Sequence, residues 1–357
     1  MKKLVLTLLV SLVLNSVYGQ APSNYYDGTA GLSGASLKSK LKTIITNGHQ
    51  DNGYGNLLTA FQSTDRDYFY ENDGTVMDMY SENPTGTDPY IYNHGVKQCG
   101  NYSVEGDCYN REHVVPQSLF NQNLPMRSDV HFVTPTDGKV NGMRSNYPFG
   151  KVGSTSFTSL NGSKLGSSVS AGYAGTVFEP IDEFKGDIAR MILYFVTRYE
   201  TQLSGFSSGN ILGSTAYPGL QTWELKQLLE WNNLDPVSPF EIARNNAAFT
   251  YQGNRNPYID RPEFVALIWG AYMGVADVDL SKSLVIVPNP VKDNKIYVLG
   301  GKNLGQYKIA LIYNMTGQLV QTIENPFQKD NTIILTDLPK GIYILKTGDL
   351  NTKFIIK

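Results

Sequence analysis

A chain of 357 residues, 41% hydrophobic and 17% charged, has enough apolar material for one large core or several smaller ones. Its net charge of -2 excludes a protein that captures nucleic acid through strongly basic overall charge. The balance is uneven: nine lysines against five acids from Ser283 onward, together with Lys2 and Lys3, leave residues 20–282 near -8.

Met1-Lys2-Lys3 precedes an apolar run over residues 4–14, and Val17-Tyr18-Gly19 places a small residue ahead of Gln20. This pattern predicts a secretory signal peptide over residues 1–19, too short and wrongly flanked for a membrane span. No other apolar run is long enough to cross a bilayer, so no stable membrane insertion is expected. Residues 20–36 read as a loose start. Leu37, Leu41, Ile44 and Ile45 predict a helix over residues 37–46. Residues 51–110, rich in Tyr, Asn, Asp and Gly, predict short strands and loops. This stretch holds both cysteines, Cys99 and Cys108. An even count in an exported chain suggests one disulfide tethering the segment before Arg111, with two free buried thiols as the other reading.

Residues 150–176, rich in Ser and Gly, read as a long surface loop or hairpin. Phe184, Ile188, Met191, Ile192, Phe195, Val196 and Tyr199 then follow helical spacing over four turns. Further helices are predicted over residues 222–231, 239–246 and 262–273, with turns at Asp235-Pro236-Val237-Ser238 and Asn254-Arg255-Asn256-Pro257. Past a boundary near residues 274–284 the pattern changes to short strands, at 284–287, 295–299, 307–313, 318–323, 332–335, 341–346 and 353–356. Such regular short strands predict a small β-sandwich. The expected architecture is α+β: a mostly helical domain over residues 20–275, a linker over 276–284 and a small all-β sandwich over 285–357.

The tail carries Val287-Pro288-Asn289-Pro290-Val291, Tyr313-Asn314-Met315-Thr316-Gly317-Gln318, Leu338-Pro339-Lys340-Gly341-Ile342-Tyr343 and a closing Lys353-Phe354-Ile355-Ile356-Lys357. It resembles the C-terminal sorting domain of the type IX secretion system. That resemblance implies export in two steps, the secretion machinery as a partner, and release from the cell or attachment to its surface.

Residues 110–149 concentrate the chemistry, with two of the four histidines. Arg111, Arg127, Lys139, Arg144 and, just beyond, Lys151 outnumber Glu112, Asp129 and Asp137, so the stretch is locally positive on an acidic body. Phosphodiester hydrolysis needs a base for water and positive charge for the phosphate and leaving oxygen. A neutral imidazole suits the first task, and a hard cation with few oxygen ligands suits the second. Glu112 and His113 are adjacent. Neighbours on an extended strand face opposite ways, so adjacency is productive only where the backbone turns, and Pro116 favours an irregular exit. An isolated Glu-His pair is commonly just solvated surface. No His-Glu-x-x-His, Gly-x-Ser-x-Gly or Walker phosphate loop is present.

The ensemble is more specific. Arg111-Glu112-His113-Val114-Val115-Pro116-Gln117-Ser118, Asp129-Val130-His131 and Asp137-Gly138-Lys139-Val140-Asn141-Gly142, then Arg144-Ser145-Asn146-Tyr147, closely resemble the bacterial endonuclease I family. So do Lys185-Gly186-Asp187-Ile188-Ala189-Arg190, Asp235-Pro236-Val237 and Gln252-Gly253-Asn254-Arg255-Asn256-Pro257. The likeness spans most of residues 37–275. It implies a ββα-metal (His-Me) finger, His113 as general base, and Glu112 and Asn141 as ligands of a divalent ion. That ion is expected to be Mg²⁺, with Ca²⁺ or Mn²⁺ as substitutes. Arg144 and Arg127 are candidates for phosphate contact or for structural ion pairs. His131 either supports the site or is satisfied by local backbone. Asp187 and Arg190 read as a structural pair, and residues 254–256 as turn chemistry. Two family features do not carry over. At most one disulfide is possible here, and the short spacer allows no assignment of the phosphate-binding arginine some members place there. The expected function is a secreted, monomeric endonuclease cleaving DNA, and conceivably RNA, without sequence specificity and leaving 5′-phosphate ends. The alternative is a non-catalytic surface or adhesion protein with a degenerate nuclease-like domain, which loss of Glu112, His113 or Asn141 would have favoured.

Overall fold

The structure, a computed structural model, describes residues 21–273 and 284–356 apart from 293, 301–303, 315–316, 328–330 and 349. The expected signal peptide and most of the expected linker lie outside the described residues.

Helix α1 (Gly34–Thr46) forms as its spacing predicts, with Leu37, Leu41 and Ile45 fully buried on one face. Lys38 on the same helix is also buried, its ammonium donating to the carbonyls of Val196 (2.6 Å) and Ala216 (2.7 Å). Helix α2 (Leu57–Thr64) lies inside the stretch expected to be loops and strands. Beyond it the backbone is irregular up to β1 (Tyr109–His113), although Met77, Met79, Tyr80 and Tyr92 are buried there. Aspartates satisfy this irregular backbone: Asp67 alone accepts from the amides of Phe69, Tyr70 and Asn72.

Strand β1 pairs antiparallel with β2 (Val133–Asp137), and α3 (Gly138–Arg144) follows at once. Then come β3 (Val152–Thr158), β4 (Lys164–Ser168) and β5 (Thr176–Glu179), an antiparallel three-stranded sheet where a loop or hairpin was expected. Helix α4 (Lys185–Arg198) is central: every residue from Gly186 to Arg198 is buried. A helix apolar nearly all round belongs in the middle of a core. Lys185, Asp187 and Arg190 on it are ion-paired. Arg190 holds Glu241 at 2.7 Å and the Asp235 carbonyl at 2.8 Å, whereas its expected partner Asp187 stands at 3.4 Å. Gly186 is required here, because a Cβ would lie 2.0 Å from the Asp235 carbonyl oxygen. Helices α5 (Thr222–Leu234), α6 (Pro239–Gln252), α7 (Pro257–Asp260) and α8 (Glu263–Trp269) complete the region. A capping box from Ser238 and Glu241 starts α6, and Gly253 in the left-handed region ends it.

The region over residues 21–273 is therefore mixed rather than mostly helical. Helices dominate only after residue 184, while the first half combines α1, α2 and α3 with a ribbon, a small sheet and aspartate-pinned loops. Among the described residues no helix is long and apolar enough to cross a membrane.

The tail is all-β, with β6 (Leu284–Lys292), β7 (Lys295–Gly300), β8 (Ile309–Asn314), β9 (Leu319–Glu324), β10 (Thr332–Ile334), β11 (Gly341–Thr347) and β12 (Leu350–Ile356). Antiparallel groups β10-β7-β6 and β12-β11-β8-β9 join through one parallel pairing, Ile356 with Val291. Both groups contribute buried side chains, such as Ile296, Val298, Ile312, Leu345 and Phe354, to one core of their own.

Candidate active site

The ribbon and its helix bring most of the sequence-predicted residues together. Strand β1 stays paired through Glu112 (opposite Thr134) and His113 (opposite Val133). The bend expected from Pro116 begins only at Val114. Glu112 and His113 therefore meet different neighbours.

The Glu112 carboxylate is 1% exposed and accepts, at one oxygen, from Tyr80 Oη (3.0 Å) and Arg144 Nη1 (2.9 Å). Its second oxygen has no protein donor among the described residues. Burial raises its pKa above the ordinary carboxylate range, against the lowering effects of Arg144 and the Tyr80 hydroxyl. Arg144 also donates to the carbonyls of His113 (2.8 Å) and Val114 (2.6 Å), and its guanidinium lies 4.4 Å from the Phe149 ring centroid. It thus fastens the end of α3 to the end of β1.

The start of α3 is fixed by Asp137, which accepts from the Val140 amide (2.8 Å), Tyr92 Oη (2.6 Å) and the Gly106 amide (2.9 Å). Asn141, one turn before Arg144, donates from Nδ2 to Asn110 Oδ1 (2.6 Å). Its amide oxygen has no protein donor among the described residues. Cys99 and Cys108 form the disulfide, with Cα atoms 5.7 Å apart. The loop they close packs on α3 through Tyr102, whose hydroxyl would lie 2.0 Å from a Cβ at Gly142. The bridge thus supports the helix that carries Asn141, beyond tethering the segment before Arg111.

His113 places Nε2 3.1 Å from the Arg127 carbonyl oxygen. A carbonyl can only accept, so Nε2 carries the proton and Nδ1 is the basic nitrogen. Burial pushes the pKa down to about 4 against that hydrogen bond, and the charges of Arg127, Arg144 and Arg111 lower it further. The ring is neutral at physiological pH. Tyr54 stacks on it with centroids 5.9 Å apart.

The guanidinium carbons of Arg111 and Arg127 lie 4.4 and 4.1 Å from the Tyr54 ring centroid. Arg127 Nε donates to Gln117 (3.1 Å), and neither arginine has an acidic partner among the described residues. Tyr54, Asn110, Arg111, Gln117 and Asn141 line a cleft of about 540 Å³. Glu112 and His113 do not line it and are buried. A larger cleft of about 680 Å³, lined by Asn52, Asn56, Thr59, Thr250 and Tyr251 among others, has no carboxylate, imidazole or cationic side chain in its lining.

His131 lies elsewhere. Its Nε2 is 3.0 Å from the Asn254 carbonyl, and its ring packs against Tyr194. Asp129 beside it accepts from Tyr194, Tyr199 and Gln252, tying the ribbon's approach to α4 and α6. Residues missed in the sequence include Tyr54, Tyr80 and Asn110. Tyr80 precedes Glu112 by 32 positions, with nothing in its surroundings to mark it. Arg111 and Gln117 flank the Glu-His pair within the same motif and could have been inferred from it.

By residue type, a carboxylate at Glu112 and an amide at Asn141 are hard oxygen donors that would suit a divalent cation of the Mg²⁺ or Ca²⁺ kind.

Residues 33–263 match the protein-family model described as Endonuclease I, and residues 285–357 match one described as a secretion system C-terminal sorting domain. Over 255 residues the chain is 36% identical to an extracellular ribonuclease of Bacillus subtilis (strain 168), covering 69% of this chain and 78% of that one. Identity to an extracellular ribonuclease of Bacillus amyloliquefaciens is 35% over the same shares. An Endonuclease-1 of Buchnera aphidicola subsp. Baizongia pistaciae (strain Bp) is 29% identical over 134 residues, 38% of this chain and 46% of that protein.

Proposed function

This chain belongs to the endonuclease I family, and we propose that it is an exported nuclease that hydrolyses internal phosphodiester bonds of DNA and RNA without reading sequence, leaving 5′-phosphate ends. The observation that carries the reading is the state of His113. Its Nε2–H is committed to the Arg127 carbonyl, its ring is neutral, and Nδ1 is left as a base one residue from Glu112. Nδ1 takes a proton from water as the water oxygen attacks phosphorus. Because water is the nucleophile, no 2′-hydroxyl is needed, and RNA and DNA are equivalent in this step. The likeness to a protein named extracellular ribonuclease supports RNA as a substrate, and the likeness to one named Endonuclease-1 supports cleavage within a strand.

We read β1, β2 and α3 as a ββα-metal finger, in which Glu112 and Asn141 would hold Mg²⁺. Such an ion neutralises phosphate charge and stabilises the leaving oxygen. One carboxylate and one neutral amide leave it net positive. Arg144 keeps Glu112 in place, and Arg111 and Arg127, stacked on Tyr54 without acidic partners, hold substrate phosphates. Contacts of this kind address the backbone, so binding is insensitive to sequence and weakens with salt. The same two arginines supply the attraction that an acidic body does not.

Purified chain incubated with circular plasmid and with RNA tests the proposal. Both are cut in Mg²⁺, EDTA stops the reaction, and added Mg²⁺ restores it. Full activity in EDTA would contradict the metal site, and an intact plasmid would confine the activity to RNA.

A further inference from the structure

A second group of acids lies outside the cleft. Oxygens of Asp67, Glu71 and Glu82 come within 4.8 Å of one another. They belong to two segments. Residues 67–75 form a tight loop, closed by the Asp67 amide on the Thr75 carbonyl (3.0 Å), and the Asp67 carboxylate accepts from three loop amides. Glu82 ends the segment that runs from Asp78 through Tyr80.

Glu82 carries an independent signal. It is 2% exposed, and its Oε1 is buried with no hydrogen-bond partner. None of the three acids forms an ion pair among the described residues. A buried carboxylate facing other carboxylates is strongly unfavourable unless it takes a proton or meets a cation. Burial first, then Asp88, Glu71, Asp67 and Asp78 around it, push the Glu82 carboxyl up to about 9. Glu71 is exposed, which leaves the group open to solvent on one side.

We propose that Asp67, Glu71 and Glu82 bind a structural divalent cation of the calcium class, at a site separate from Glu112 and Asn141. All donors are oxygens and no His or Cys takes part, which excludes a zinc- or copper-type site. Three carboxylates from two loops, with room for water at Glu71, suit the adaptable coordination of Ca²⁺ better than the strict octahedron of Mg²⁺. The ion would tie the 67–75 loop to the segment that presents Tyr80 to Glu112. In that segment Asp78 also accepts from the amides of Tyr80 (2.8 Å) and Asp137 (2.9 Å), so the site reinforces the support of the active centre from outside it.

The test uses the full chain stripped of metal, with Ca²⁺-dependent thermal unfolding and with Tb³⁺ luminescence excited through nearby tyrosines such as Tyr70. Saturable stabilisation by Ca²⁺ is expected, with a dissociation constant on the order of 0.1–1 mM, as for extracellular Ca²⁺ modules. It should persist in Glu112→Gln and vanish in Glu82→Gln and Asp67→Asn. Glu71→Gln, at the exposed ligand, should fold normally and weaken Ca²⁺ binding by on the order of tenfold. In metal-free buffer Glu82→Gln should unfold no earlier than the native chain, since it replaces a buried carboxyl crowded by Asp67, Glu71, Asp78 and Asp88 with an amide that cannot ionise. The proposal is overturned if Ca²⁺ gives the native chain no saturable stabilisation, if the effect survives in Glu82→Gln, or if it is lost in Glu112→Gln. Should Glu82→Gln fail to fold, unchanged Ca²⁺ affinity in Glu71→Gln would overturn it equally.

Discussion

His113 and His131 share one device and differ in what it serves. Each ring has its Nε2 on a backbone carbonyl, each is buried, and each has its pKa pushed down to about 4. His113 belongs with Arg127, Tyr54 and Glu112, whereas His131 is enclosed by Asn254, Tyr194 and the Asp129 network. The sequence could place both in one stretch and leave the role of the second open. The choice depended on Asn254, 123 positions away, which no local pattern links to His131. The burial of His131 has a measurable sign. An unfolded chain protonates its imidazole near ~6.5, so between that value and 4 the unfolded state binds more protons. The contribution of the neutral ring is complete above ~6.5 and is lost as pH falls toward 4. The stability gap between the native chain and His131→Gln, measured by urea unfolding, should shrink by up to about 1.4 kcal/mol per pH unit across that window. A gap independent of pH would contradict a buried neutral ring.

At the scale of elements, the ribbon and α3 act as a unit because Asp137 caps one end of the helix and Arg144 fastens the other. Of the two roles open to Arg144, phosphate ligand or structural partner, its 1% exposure and three β1-side partners favour the second. Arg144→Met would leave Glu112 buried without its cation, at a cost of about 3–5 kcal/mol in urea unfolding. Arg144→Lys should not restore the loss, since an ammonium cannot span Glu112 and two carbonyls as a guanidinium fork does. A change below about 1 kcal/mol would show that the fastening contributes little. Legibility followed the strength of local signals. The apolar spacing of α4 and the turn over residues 235–238 that leads into α6 were readable. Helix α6 runs six residues past the expected end at 246, and Gly253 is its terminator. Helix α2 was hidden by Gly53, Gly55 and Asn56 just before it. The third strand, β5, is specified by pairing with β4 rather than by its own four residues.

At the scale of the whole molecule, the nuclease and sorting regions bury separate sets of side chains. Removing residues 285–357 should therefore leave purified nuclease activity unchanged while abolishing export, as read by plasmid cleavage and by the protein's distribution between cells and medium. Unchanged secretion would contradict the sorting role. The two-part organisation was legible because the hydrophobic period changes from helical to alternating near residue 284. The support of Glu112 by Tyr80 was not, because contacts between distant loops leave no periodic trace. The account rests finally on His113 as the base of a phosphodiester hydrolase. Cleavage and binding of the same DNA by the full native chain and by His113→Ala, measured side by side in Mg²⁺, test this most directly. The account predicts a loss of cleavage on the order of 10²–10⁴-fold with DNA affinity nearly unchanged. Cleavage at the native rate by His113→Ala would contradict it.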